Sequence, residues 1–160
     1  MPPPFPNPFY HSLSSNKRTM TVTLTSNYRD MLAADTVSKI DELLDENYCL
    51  DDILKFIDEY NEQMFVDNYE EYCRCGEIIG YDAVDALAEE NGIDYIQDCD
   101  ERFMGWYEST ADFAEEFYSE QYDVPVALVV DWEATYDSTL RYDFTACEKG
   151  YRQVAIFRDY

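Results

Sequence analysis

Basic residues are scarce in this chain, and between Cys75 and Leu140 only Arg102 stands against eighteen acids. Over all 160 residues there are 11 Lys and Arg, 35 Asp and Glu and a single His, giving a formal charge of −24 and a pI near 4.1. Direct binding to DNA, RNA or an anionic lipid surface is therefore disfavoured, because each would repel the chain. Long apolar runs are also missing: no stretch approaches the ~18 apolar residues that span a bilayer. The N-terminal MPPPFPNPFYHSLSSNKRTM lacks the apolar centre of a secretory signal. With no export signal, the odd set Cys49, Cys73, Cys75, Cys99 and Cys147 is expected as reduced thiols, in a cytoplasm.

Motifs that carry chemistry are absent too. There is no P-loop, G-x-G-x-x-G, G-x-S-x-G or H-E-x-x-H pattern. Cys73-x-Cys75 lacks the spacing of a zinc site and has no second pair, while His11 lies in the Pro-rich N-terminus. DCDERFMGWYE opens with Asp98 and Asp100 like a calcium loop, but places Phe103 where the sharp turn needs Gly. No metal or cofactor is expected. Carboxylate pairs suit acid–base chemistry, yet acids are so frequent that no pair is singled out. The expected class is non-enzymatic.

What is present is a substantial core. Hydrophobic residues make up 46% and aromatics 16%, which an acidic disordered tail would not contain. Residues 1–19 hold all but one of the prolines and read as a disordered leader, with Met20 as a candidate start. Residues 20–80 read as an N-terminal helical region and 81–160 as an acidic C-terminal domain.

Helical periodicity dominates. In DTVSKIDELLDENY, the residues Val37, Ile40, Leu43 and Leu44 share a face. LDDILKFIDEYNEQM does the same with Ile53, Leu54, Ile57 and Met64, with Asp51 or Asp52 as N-cap. The run from Met64 is expected to stay helical to about Gly76. YDAVDALAEEN follows, with Val84, Leu87 and Ala88 inward, Asp82, Asp85 and Glu89 outward, and Gly92 past its end. IDYIQDCDERFMG reads as a short helix stopping at Gly105. Ser109 and Asp112 form a capping-box pattern ahead of another helix, which Pro125 bars from continuing. VPVALVV reads as an extended apolar segment, DWEATYDSTLRYD as a last helix, and DFTACEKGYRQVAIFRDY as a β-hairpin turning near Lys149-Gly150. The expected fold class is mostly helical α+β, with short acidic helices and a small C-terminal hairpin. Phe113, Phe117, Trp106 and Trp132 are expected in the core.

DFAEEFYSEQYD, residues 112–123, concentrates the charge problem: five carboxylates and four aromatic rings without a Lys or Arg. On a helix, Asp112, Glu116 and Glu120 stack at i, i+4 and i+8, where like charges cost about 0.2–0.5 kcal/mol per pair. Solvated surfaces normally mix signs, and a halophile's acidic coat fits a chain this rich in bulky aromatics less naturally. DNA mimicry explains the pattern better. A duplex presents a negative charge about every 1.7 Å of axis, and carboxylates one helical turn apart recur every ~6 Å, with neighbouring rows filling in between. A basic groove would then relieve the repulsion on binding.

The segment IDYIQDCDERFMGWYESTADFAEEFYSEQYDVP, with VVDWEATYDSTLRYD after it, resembles the C-terminal region of the ArdA antirestriction proteins. The matching features are Ile93-Asp94, Phe103 before Gly105, Tyr107, Ser109, Asp112-Phe113-Ala114-Glu115-Glu116, Asp131-Trp132-Glu133-Ala134 and the terminal FRDY. They occur in order over about 68 residues, and YDAVDALAEENG fits the acidic helical part upstream. Residues 1–75 carry no such match, where the family has a more β-containing domain, and Trp106 stands where an acid or polar residue is expected. The resemblance implies an elongated, non-enzymatic acidic protein, often dimeric. Such a protein occupies the DNA-binding groove of a type I restriction-modification enzyme in the host cytoplasm and protects incoming phage or plasmid DNA. The expected contact residues are Asp82, Asp85, Glu89, Glu90, Asp94, Asp98, Glu101, Asp112, Glu115, Glu116, Glu120 and Asp123. The alternative is an acidic protein that inhibits another basic DNA-binding protein, such as a nucleoid, repair or CRISPR component.

Overall fold

The computed structural model describes residues 26–159; the Pro-rich leader with His11, and the candidate start at Met20, lie outside the described residues. The fold is mostly helical α+β. Its helices are α1 (Ser26–Met31), α2 (Ala34–Asp45), α3 (Leu50–Glu59), α4 (Glu62–Ile79), α5 (Tyr81–Asn91), α6 (Cys99–Arg102), α7 (Thr110–Gln121) and α8 (Trp132–Ser138). Strands β1 (Phe103–Tyr107), β2 (Phe144–Gly150) and β3 (Gln153–Arg158) complete it, with 3-10 turns at Ile93–Tyr95 and Leu140–Tyr142.

The apolar faces expected for α2 and α5 are inward: Ile40, Leu43, Val84, Leu87 and Ala88 are buried, and Val37 and Leu44 pack against them. Gly92 directly follows α5. The start of α3 differs from expectation. Cys49 takes the N-cap position, while Asp51 and Asp52 lie in the first turn, where a carboxylate suits the positive end of the helix dipole. Starting at least two residues earlier lets Leu50 pack on the core.

Helix α4 also departs from expectation. It begins afresh after Tyr60, with Asn61 Oδ1 accepting from the Met64 N–H at 2.7 Å, so Met64 does not extend α3. It then runs past Gly76 to Ile79. Gly76 does not end the helix but admits a neighbour: a Cβ there would sit 2.4 Å from the Tyr81 ring.

The segment expected as one helix from Ile93 to Gly105 divides into a 3-10 turn, the single turn α6 and a strand. β1 pairs antiparallel with β3 (Phe103 with Phe157, Trp106 with Ala155, Tyr107 with Val154), and the register shifts between Phe103 and Gly105. Gly105 has φ +134°, a conformation side chains rarely adopt, so it forms the bulge instead of stopping a helix. The expected hairpin β2–β3 is present, with Tyr151 and Arg152 between the paired Gly150 and Gln153. β1 enlarges it to a three-stranded sheet in the order β1-β3-β2.

β3 is buried on both faces, and its period of two assigns alternate residues to two cores. Ala155 and Phe157, with Cys147, join the cluster of α2–α5 residues. Val154 and Ile156 join Phe113, Ala114, Tyr136, Leu140 and Phe144 beneath α7 and α8. The sheet thus lies between two helical layers, and packing is continuous across residues 80 and 81, because Tyr81, Ala83, Val84 and Leu87 belong to the same cluster as Phe56, Phe65 and Tyr69. Trp106 packs against the first cluster, Phe117 and Trp132 against the second. All five cysteines are buried and unbridged. Among the described residues no helix is long and apolar enough to cross a membrane.

Candidate functional site

Helix α7 is defined at its start by Ser109, whose Oγ accepts from the Asp112 N–H at 3.1 Å and donates to the Asp112 carboxylate at 2.7 Å. Phe113 and Ala114 turn inward and Phe117 follows four residues later. The helical period then leaves Asp112, Glu115, Glu116 and Glu120 facing solvent. Helix α8 packs alongside α7. Asp131 caps it through the Ala134 N–H at 3.0 Å. With Tyr136 buried beneath it, Glu133 and Asp137 face outward. None of these six carboxylates has a Lys, Arg or His nitrogen within 4.0 Å among the described residues. The Tyr107 hydroxyl lies against this face. Burial, followed by its hydrogen bond to Glu116, pushes its pKa up to about 12.

The base nearest to α7 in sequence gives no relief. Arg102 is 5% exposed, and its guanidinium donates to the carbonyls of Arg158 (2.9 Å) and Tyr95 (3.0 Å) while lying over the Tyr95 ring. It ties the C-terminal end of β3 to the turn before α6. The single positive charge among residues 75–140 is thereby committed to internal structure, and the acidic surface stays uncompensated.

The other expected contact residues divide into two kinds. Glu89, Glu90, Asp94, Glu101 and Asp123 are exposed, and no Lys, Arg or His pairs with them among the described residues. Asp82 and Asp85 instead face Lys149, at 3.5 and 3.9 Å. Asp85 also accepts from the Tyr72 hydroxyl at 2.8 Å, and burial raises its pKa against the opposing pull of Tyr72 and Lys149. Asp98 lies 3.8 Å from Arg74, and the Asp98 N–H donates to Glu71. These three are partly engaged within the molecule. Glu133 and Asp137, by contrast, belong to the uncompensated face and were not among the expected contacts.

Arg74 organises a compact polar cluster. Its guanidinium donates to Glu71 at 2.7 and 2.9 Å and to Asp100 at 2.8 and 3.0 Å, joining α4 to α6. The Cys75 thiol lies 3.5 Å from Glu71 and 3.6 Å from Asp100, so Glu71, Cys75 and Asp100 have the proximity of a metal-ligand set. Arg74 already supplies the positive charge there, and an incoming cation would have to displace it. Both thiols are buried in the same core, but the Cys73 thiol lies beside Tyr69 and Tyr81, because residues two apart on a helix face different ways. The Cys-x-Cys spacing therefore brings no thiol pair together.

Arg74 holds the pKa values of Glu71 and Asp100 below the usual carboxylate range. A lowered pKa stabilises the fold above the unfolded value, near 4, and that contribution is lost as pH falls through the folded value. Thermal midpoints followed from neutral pH into the acid range should therefore fall more steeply for the wild type than for Arg74→Met. Parallel profiles would show that the cluster contributes nothing to acid stability.

Comparison of the chain with protein-family models, curated proteins and solved structures gives no match.

Proposed function

We propose that this chain is a non-enzymatic antirestriction protein that imitates double-stranded DNA and occupies the DNA-binding groove of a type I restriction-modification enzyme. The observation that carries the reading is the face formed by α7 and α8. Six carboxylates point outward from two adjacent helices without a cation beside them, while Arg102 is buried. Such a surface costs stability, and the cost is recovered where a partner supplies Lys and Arg. Carboxylates one helical turn apart stand ~6 Å from one another along each helix. Two helices side by side offer the dense rows of negative charge that a DNA-binding groove attracts, and long-range attraction accelerates the encounter. The resemblance of residues 93–160 to the ArdA proteins supports the same target class.

Competition tests the reading. Protein titrated into a purified type I restriction-modification enzyme holding labelled duplex should release the DNA intact, without itself binding the duplex. Failure to displace DNA at stoichiometric protein rejects this target and points to another basic DNA-binding protein.

A further inference from the structure

The chain between α7 and α8 exposes apolar residues of a kind normally buried. Val126 and Val129 are fully exposed at 103% and 101%, and Leu128 is 61% exposed. The segment is a built loop. The Leu128 N–H donates to the Pro125 carbonyl at 3.0 Å, closing a turn with Val126 and Ala127 at its tip. Both ends are held by stacked rings: Tyr118 lies 6.1 Å from Tyr122 on the α7 side and 6.1 Å from Trp132 on the α8 side. Exposed acids surround the loop, with Glu120 and Asp123 before it and Asp131 and Glu133 after it.

An apolar centre with a charged rim is the anatomy of a protein interface. The sign of the rim selects the occupant. A second copy of this chain, also at −24, would bring acid against acid, and an anionic membrane or a nucleic acid would be repelled in the same way. A protein surface with an apolar socket edged by Lys and Arg is the complementary partner. We propose that the Pro125–Val129 turn is an apolar anchor that inserts into such a socket on the basic protein whose groove receives the α7–α8 carboxylates. The carboxylates supply steering and salt-sensitive attraction, and the turn supplies affinity that persists when charge is screened. The identity of the partner rests on the function proposed above; the anchor is a separate claim about the loop.

The test uses the full chain and a purified type I restriction-modification enzyme with labelled duplex. Displacement is measured at low and at high salt for the wild type and for Val126→Ser/Leu128→Ser/Val129→Ser. The three side chains make little internal packing, so the variant should melt with the wild type. If it melts clearly lower, the single variants Val126→Ser and Val129→Ser, at the two fully exposed positions, carry the comparison. The expected result is an affinity loss of about tenfold or more that is undiminished at high salt, as follows from withholding three aliphatic side chains from an apolar socket. Equal displacement by wild type and variant overturns the anchor and leaves the DNA-mimic reading standing. No displacement by the wild type itself overturns both.

Discussion

Replacing Glu115, Glu116 and Glu120 by Gln together with Asp137 by Asn is expected to stabilise the protein while removing most of its affinity for a cationic groove. All four side chains are exposed and none pairs with a base within 4.0 Å among the described residues. The changes relieve repulsion of Asp112 with Glu115 and Glu116, of Glu116 with Glu120, and of Glu133 with Asp137. At about 0.2–0.5 kcal/mol per pair the gain is about 1–2 kcal/mol. Glu120 and Asp137 also lie at helix C-termini, where a negative charge opposes the dipole, so their neutralisation acts in the same direction. The Ser109 cap and Asp112 are untouched, and the amide oxygen introduced by Glu116→Gln would still accept from the Tyr107 hydroxyl. The melting temperature should rise by roughly 3–5 °C for a chain of this size. Binding moves the other way. Exposed charges contribute up to ~1 kcal/mol each, so losing four costs about 2 kcal/mol, or roughly 30-fold at low salt. Any one of them alone should barely matter. A variant that melts lower, or that binds as the wild type does, contradicts a surface kept acidic for a partner.

Phe113→Ala should have the largest effect on the fold. The ring is 1% exposed and packs against Tyr107 at 5.1 Å, Phe117 at 5.7 Å, Tyr136 at 6.3 Å and Phe144 at 4.9 Å. It joins α7, α8, β1 and β2 in one contact. Truncating a buried Phe costs about 3–5 kcal/mol through lost transfer energy and the cavity left behind. That is a large part of the ~5–15 kcal/mol by which domains are stable. The melting temperature should fall by about 10 °C or more. DNA displacement should be lost at temperatures where the α7–α8 layer no longer folds, although no carboxylate has been changed. Phe117→Ala, at a partly buried ring on the same helix, should cost less. A fall of only a degree or two for Phe113→Ala would show that this layer is not held by the cluster beneath it.

Much of the fold is legible in short sequence windows. The apolar spacing in α2 and α5, the Ser109–Asp112 box, Gly92 after α5 and the C-terminal hairpin all depend on neighbours a few residues away. β1 does not. FMGWY pairs with residues about fifty positions downstream, and an apolar run of that length has no period to separate strand from helix. Gly76 reads as a helix stop because the approach of the Tyr81 ring is a tertiary fact. The same division applies to the acidic residues. The solvent-facing row on α7 follows from helical period alone. That Asp85 and Asp98 are engaged by Lys149 and Arg74 follows only from long-range packing, as does the burial of Arg102. Glu133 and Asp137 join the acidic face because α8 lies beside α7, and no local signal announces it.

The most direct test of carboxylates standing in for phosphates is the salt dependence of affinity. Binding of the protein to a purified type I restriction-modification enzyme would be measured across a series of salt concentrations, beside binding of a short duplex to the same enzyme. DNA mimicry predicts that the protein competes with the duplex and that its affinity falls steeply with salt, as the duplex's own does. Binding that is unaffected by salt, or that leaves the duplex in place, would contradict it.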